Sequence, residues 1–101
     1  MTAQEKLTAN VVVDTNPATG TAVAELSETN LEALPQMLAK AREAQAIWAA
    51  KSFKERARHI QMMRSYIVDR ADDLARTVSE SNGKTLTDAL ATEVLPCALA
   101  C

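Results

Sequence analysis

Two hydrophobic rhythms divide the chain, one close to two residues per repeat and the other close to 3.6. The short rhythm comes first. Asn10 to Thr15 holds the β-branched run Val11, Val12 and Val13, and a second extended stretch, Thr21 to Leu26, follows Asn16-Pro17-Ala18-Thr19-Gly20. Proline presets one turn dihedral and glycine permits another, so the two segments read as the strands of a hairpin. An isolated hairpin is marginal in water, and the pattern therefore asks for something packed on it. Residues 1–9 are polar and aperiodic and read as a flexible tail.

From Leu31 the longer rhythm takes over. Leu34, Met37, Leu38, Ala41, Ala44 and Trp48 share one face of a first amphipathic helix whose start falls between residues 30 and 35. Thr29 with Glu32 offers a capping box there, and Pro35 offers a rival marker of the first turn. Ser52-Phe53-Lys54-Glu55 is a clearer capping box. Behind it Phe53, Ala57, Ile60, Met63, Ile67, Ala71, Leu74 and Val78 advance in steps of three and four, with a break or kink expected in the polar run Arg70 to Asp73. Asn82-Gly83 suits a left-handed C-cap. Thr85 to Asp88 opens a third helix with apolar positions Leu86, Ala89, Leu90, Val94, Cys97 and Ala98, and Pro96 interrupts it. That pattern reaches Cys101 without a terminating residue, which reads as part of a larger unit. The expected chain is mostly α: a β-hairpin followed by three amphipathic helices.

Composition narrows what these elements can do. The 101 residues allow one small core, and 19 alanines within the 48% hydrophobic fraction leave it short of large side chains. One Phe, one Tyr and one Trp give no stacking platform for bases, and a net charge of −2 with mixed signs gives no basic stripe, so nucleic acid is not an expected partner. No apolar run reaches the roughly 18 to 20 residues of a membrane span, and no apolar core follows the polar N-terminus as in a signal peptide. The default location is cytoplasmic, which two cysteines without a disulfide framework also suit.

Candidate chemistry is thin. Only Gly20 and Gly83 exist, so a GxGxxG dinucleotide loop or a Walker phosphate cradle cannot be built. Cys97 and Cys101 lie one helical turn apart, but zinc needs about four ligands and His59 is the sole histidine; apolar packing is the expected role of both thiols. His59 has no nucleophile or orienting partner in view and reads as a partly exposed surface residue. Glu93 would be a base only if buried, and Lys84, beside the Gly83 cap, can meet an anion; a solvated or helix-end charge is the ordinary reading of each. Met62 and Met63, with Ile60 and Ile67, fit packing at a core or domain interface.

The order of the motifs says more than any one of them. Asn16-Pro17-Ala18-Thr19-Gly20, then a short strand, then a helix carrying Ala41-Arg42-Glu43-Ala44 and Trp48, resembles the opening of NAD(P)-dependent aldehyde dehydrogenases. Glu55-Arg56-Ala57-Arg58 with Ile60 and Met63, Ala71-Asp72-Asp73-Leu74-Ala75, Asn82-Gly83-Lys84-Thr85 and Glu93-Val94 look like that family's following helices in register. The resemblance covers about residues 10 to 101.

That likeness implies an α/β parent enzyme, of which residues 10–101 are an incomplete N-terminal part of the coenzyme-binding domain, packed outside a parallel sheet. It implies oxidation of an aldehyde to a carboxylate through a thiohemiacetal on cysteine, with NAD or NADP taking the hydride, in a homo-oligomer. The family's nucleophilic cysteine, general-base glutamate, oxyanion-binding asparagine and nucleotide-binding lysine and glutamate have no match between Met1 and Cys101. No catalytic, cofactor-binding or metal-binding residue is therefore carried over, and neither NAD nor NADP is expected to bind this chain alone. Some members hold a monovalent cation near an acidic residue just before the Asn-Gly-Lys stretch; Ser81 stands there in this chain, and that site is not carried over either. The expected partners are the remainder of the enzyme fold and a small-molecule aldehyde. The rival reading is a non-catalytic helical module, or a decayed remnant, that docks through an apolar helix face.

Overall fold

The computed structural model describes residues 10–101, so the tail expected over residues 1–9 lies outside the described residues. Two antiparallel strands, β1 (Val11–Thr15) and β2 (Ala22–Ser27), are followed by a 3-10 turn (Leu31–Ala33) and by helices α1 (Leu34–Ala49), α2 (Phe53–Asp69) and α3 (Ala71–Asn82). A last helical stretch consists of α4 (Leu86–Ala89), a π-turn (Leu90–Val94) and α5 (Leu95–Ala100).

The hairpin forms as its turn chemistry directs. Asn16 Oδ1 accepts the Ala18 N–H at 2.9 Å, Gly20 closes the turn at φ 74°, and Val12 faces Leu26 across the ladder, with a bulge between Asp14 and Thr15. At the first helix Asn30 is the cap, not Thr29. Its Oδ1 accepts the Glu32 N–H at 3.0 Å, and Pro35 occupies the first turn of α1, where its missing N–H leaves no bond unmade.

Ser52 and Glu55 form the reciprocal capping box of α2, the Glu55 N–H reaching Ser52 Oγ at 3.2 Å and the Ser52 N–H reaching Glu55 Oε2 at 2.9 Å. The helical pattern from Ser52 to Asn82 breaks, as expected, into two helices. Arg70, at φ −114° and ψ 22°, separates α2 from α3 at the start of the polar run, and Gly83 at φ 80° closes α3 in the left-handed region.

The third expected helix is interrupted as Pro96 requires, but upstream of the proline. Pro96 has no N–H to give, and its ring crowds the carbonyl four residues before it; the widened π-turn, in which the Leu95 N–H bonds Leu90 O, absorbs both problems. The extra residue also rotates the helix. Ala89, Val94 and Ala98 face inward at 0%, 6% and 7% exposure, whereas Leu86, Leu90 and Cys97, expected on the same stripe, are exposed. The apolar period of an uninterrupted helix does not survive an inserted residue.

Ala75, Ala89 and Val94 form the core, with Ile67, Ala71, Leu74 and Val78 partly buried against it. Among the described residues no large side chain is fully enclosed. The surface measures 8407 Å², against about 5,600 Å² for a compact monomer of this mass. The Cα radius of gyration is 18.6 Å, against about 13 Å for a compact domain of 100 residues, and the thinnest extent is 16 Å. This is a plate of secondary structure with its apolar faces uncovered: Phe53 is 84% exposed, Leu31 77% and Ile47 68%.

Candidate functional site

A polar cluster lies where the end of α3 meets the start of α4. Gly83 belongs there for two reasons: its positive φ strains any residue with a Cβ, and such a Cβ would sit 2.8 Å from Pro17 Cγ of the hairpin turn. Ser81 Oγ donates to Asp14 Oδ2 at 2.6 Å, a second tie between the hairpin and α3. Beyond the glycine, Ser79 Oγ donates to the Lys84 carbonyl at 2.6 Å, and Thr85 Oγ1 caps α4 by accepting the Asp88 N–H at 3.1 Å.

Lys84 and Glu93, weighed separately in the sequence, are partners. Lys84 Nζ lies 2.5 Å from Glu93 Oε1 and 3.4 Å from Thr92 Oγ1, with the two charged side chains 32% and 47% exposed. Such a pair ties the loop after α3 to the π-turn. The carboxylate is wet and already bonded to a cation, and the ammonium is matched by that carboxylate, which is the geometry of a strut between two elements.

His59 is exposed, as expected, and packs its ring against Trp48 with centroids 5.4 Å apart, a contact between α1 and α2. Ile60, Met62, Met63, Tyr66 and Ile67 extend this contact into an open apolar groove. The expectation of apolar packing for the cysteines is corrected at Cys97, which is exposed; Cys101 is half-buried, and both are free thiols. Among the described residues no three His, Cys, Asp or Glu side chains converge on a possible metal position. No helix of the described residues is long and apolar enough to cross a membrane.

The Glu55 carboxylate belongs to the capping box of α2. Glu55 is held below its ordinary carboxylate range, first by the hydrogen bond from the Ser52 backbone N–H and then by that from the Ser52 hydroxyl. Sequence reasoning missed the Asp14–Ser81 bond and the Trp48–His59 contact. The first spans 67 residues, and no periodicity or spacing rule announces a single hydroxyl–carboxylate meeting at that range.

The aldehyde dehydrogenase family profile matches residues 3–101. The chain belongs to the aldehyde dehydrogenase family. Among curated relatives it is 34% identical over 76 residues to a malonate-semialdehyde dehydrogenase of Lacticaseibacillus casei, covering 75% of this chain and 15% of that protein. It is 38% identical over 74 residues to a 3,6-anhydro-alpha-L-galactose dehydrogenase of Streptomyces coelicolor, covering 73% and 15%. A malonate-semialdehyde dehydrogenase of Bacillus pumilus is 34% identical over 74 residues, again 73% and 15%. The chain thus spans about 15% of the length of these relatives. No solved structure matches. The uncovered plate and its small core are what a segment of a larger aldehyde dehydrogenase fold presents when it stands without the rest.

Proposed function

We propose that this chain is a scaffold segment in the coenzyme-binding domain of an enzyme that oxidises an aldehyde to a carboxylate with NAD or NADP as hydride acceptor. The nucleophile, the general base and the coenzyme ligands come from the remainder of the enzyme fold, and the parent acts as a cytoplasmic homo-oligomer on a small aldehyde.

The observation that carries this reading is the uncovered apolar surface: the chain exposes 8407 Å², and among the described residues the buried hydrophobic ones are Ala75, Ala89, Val94 and Ala98, so its helix faces are built to be covered. Two further facts support it. A dinucleotide needs a glycine-rich cradle or comparable convergence of backbone N–H groups, and neither Gly20, in the hairpin turn, nor Gly83, closed by Pro17, forms one. Nor do the described side chains set a thiol beside a base: His59 stacks on Trp48, and Glu93 is engaged with Lys84.

The test is direct. Residues 1–101, purified and mixed with NAD+ or NADP+ and a panel of aldehydes that includes malonate semialdehyde, should yield no reduced coenzyme, and calorimetry should show no coenzyme binding. Turnover comparable to that of an intact relative would overturn the reading.

A further inference from the structure

The π-turn decides what the last helix presents. Counted in steps of four from Ala89, a regular α-helix would align Glu93, Cys97 and Cys101 with one of the most deeply buried residues of the chain. The inserted residue of Leu90–Val94 turns that line about the helix axis by about 100°. Val94 and Ala98 go inward in its place, and Cys97 comes to the surface. Cys97 lies within α5 and Cys101 is its C-cap, so the two free thiols remain on one side of the helix with Cβ atoms about 5–6 Å apart. π-turns within α-helices recur at functional sites, and here the consequence is an exposed Cys97 one turn before a half-buried Cys101.

We propose that Cys97 and Cys101 form a chelating pair for a soft, thiophilic centre that two thiolates complete, of which a trivalent organoarsenical is the chemical type. The donor set selects this class. Two sulfurs are half of what zinc requires, and among the described residues no His, Asp or Glu joins them to make a metal site. Thiolates prefer soft acceptors, and an aryl arsenical brings its own third substituent. With an aryl arsenoxide two S–H bonds break and two S–As bonds form. The arsenic-bound oxygen leaves with both protons as one molecule of water, and arsenic stays trivalent throughout.

The probe is phenylarsine oxide, titrated into the reduced 101-residue chain in the presence of excess monothiol, with adduct mass and remaining free thiols read together. One arsenical should bind per chain and remove both thiols. Cys97→Ser and Cys101→Ser should each weaken retention about a hundredfold, the usual scale for losing the second of two tethered contacts. A geometric control separates the helix from mere proximity: Leu99→Cys combined with Cys101→Ser spaces the thiols two residues apart, on different sides of a helix, and should weaken retention to the level of the single-thiol variants. Loss in both single variants and in the control supports the proposal. Retention by the control within about threefold of the parent chain, or failure of the parent chain to hold the arsenical against monothiol, overturns it.

Discussion

Replacing Ser52 with alanine tests the capping logic of α2 at a point where the structure separates one contribution from the next. The hydroxyl accepts the Glu55 N–H at 3.2 Å and donates to Glu55 Oε2 at 3.1 Å, while the Ser52 backbone N–H reaches the same carboxylate oxygen at 2.9 Å. Ser52→Ala removes the first two bonds and leaves the third. An N-cap serine replaced by alanine costs about 1 kcal/mol, which is about a fivefold rise in the opening equilibrium of the first turn. Amide exchange resolved by residue should therefore quicken about fivefold at Glu55, with the Gly83 amide, at the far end of α3, unchanged. The carboxylate adds a pH signature whose sign follows from its depressed folded-state pKa. Its contribution is present above the ordinary value of 4.5 and is lost as pH falls through the lowered value. Protection at Ser52 should decline in that acid window, and Glu55→Gln, which keeps an acceptor but never ionises, should show no such decline once intrinsic exchange rates are removed. Protection at Glu55 in Ser52→Ala within twofold of the parent would refute the assignment of the cap.

Gly83→Ala combines left-handed strain with a 2.8 Å approach to Pro17 Cγ and should destabilise the junction of α3 and the hairpin by about 2 kcal/mol, read as a lower urea midpoint for loss of helical ellipticity. Gly83→Asn should recover part of that loss if backbone strain dominates, and none of it if the Pro17 contact does. Lys84→Met removes an exposed ion pair and should cost less than about 1 kcal/mol, so a larger effect would show that the Lys84–Glu93 strut matters more than its exposure implies. With a core of small side chains and its helix faces open, the isolated chain should melt broadly and bind a hydrophobic dye. A sharp calorimetric transition without dye binding would contradict the reading of the plate as uncovered.

The parts legible without coordinates are those governed by interactions a few residues long. Pro17 and Gly20 direct the hairpin turn, Ser52 and Glu55 start α2, the polar run after Asp69 divides it from α3, and Asn82-Gly83 closes α3. Even the miss at Thr29 was local, since Asn30 one residue later supplies a cap of the same kind. The family likeness was legible for a related reason: short motifs in fixed order survive without any need to know what they touch.

Tertiary structure alone decided which faces meet. Cys97 and Leu86 fit the period of a straight helix, but the choice between that stripe and Ala89, Val94 and Ala98 turns on one inserted residue, and packing against α3 selects between two phases that the pattern scarcely distinguishes. Asp14 meets Ser81, Trp48 meets His59 and Lys84 meets Glu93 because folded elements bring them into range. Caps, turns and periods depend on neighbours along the chain and so are written in its order; helix phase and long-range partners depend on what else occupies the space, which only the assembled fold specifies.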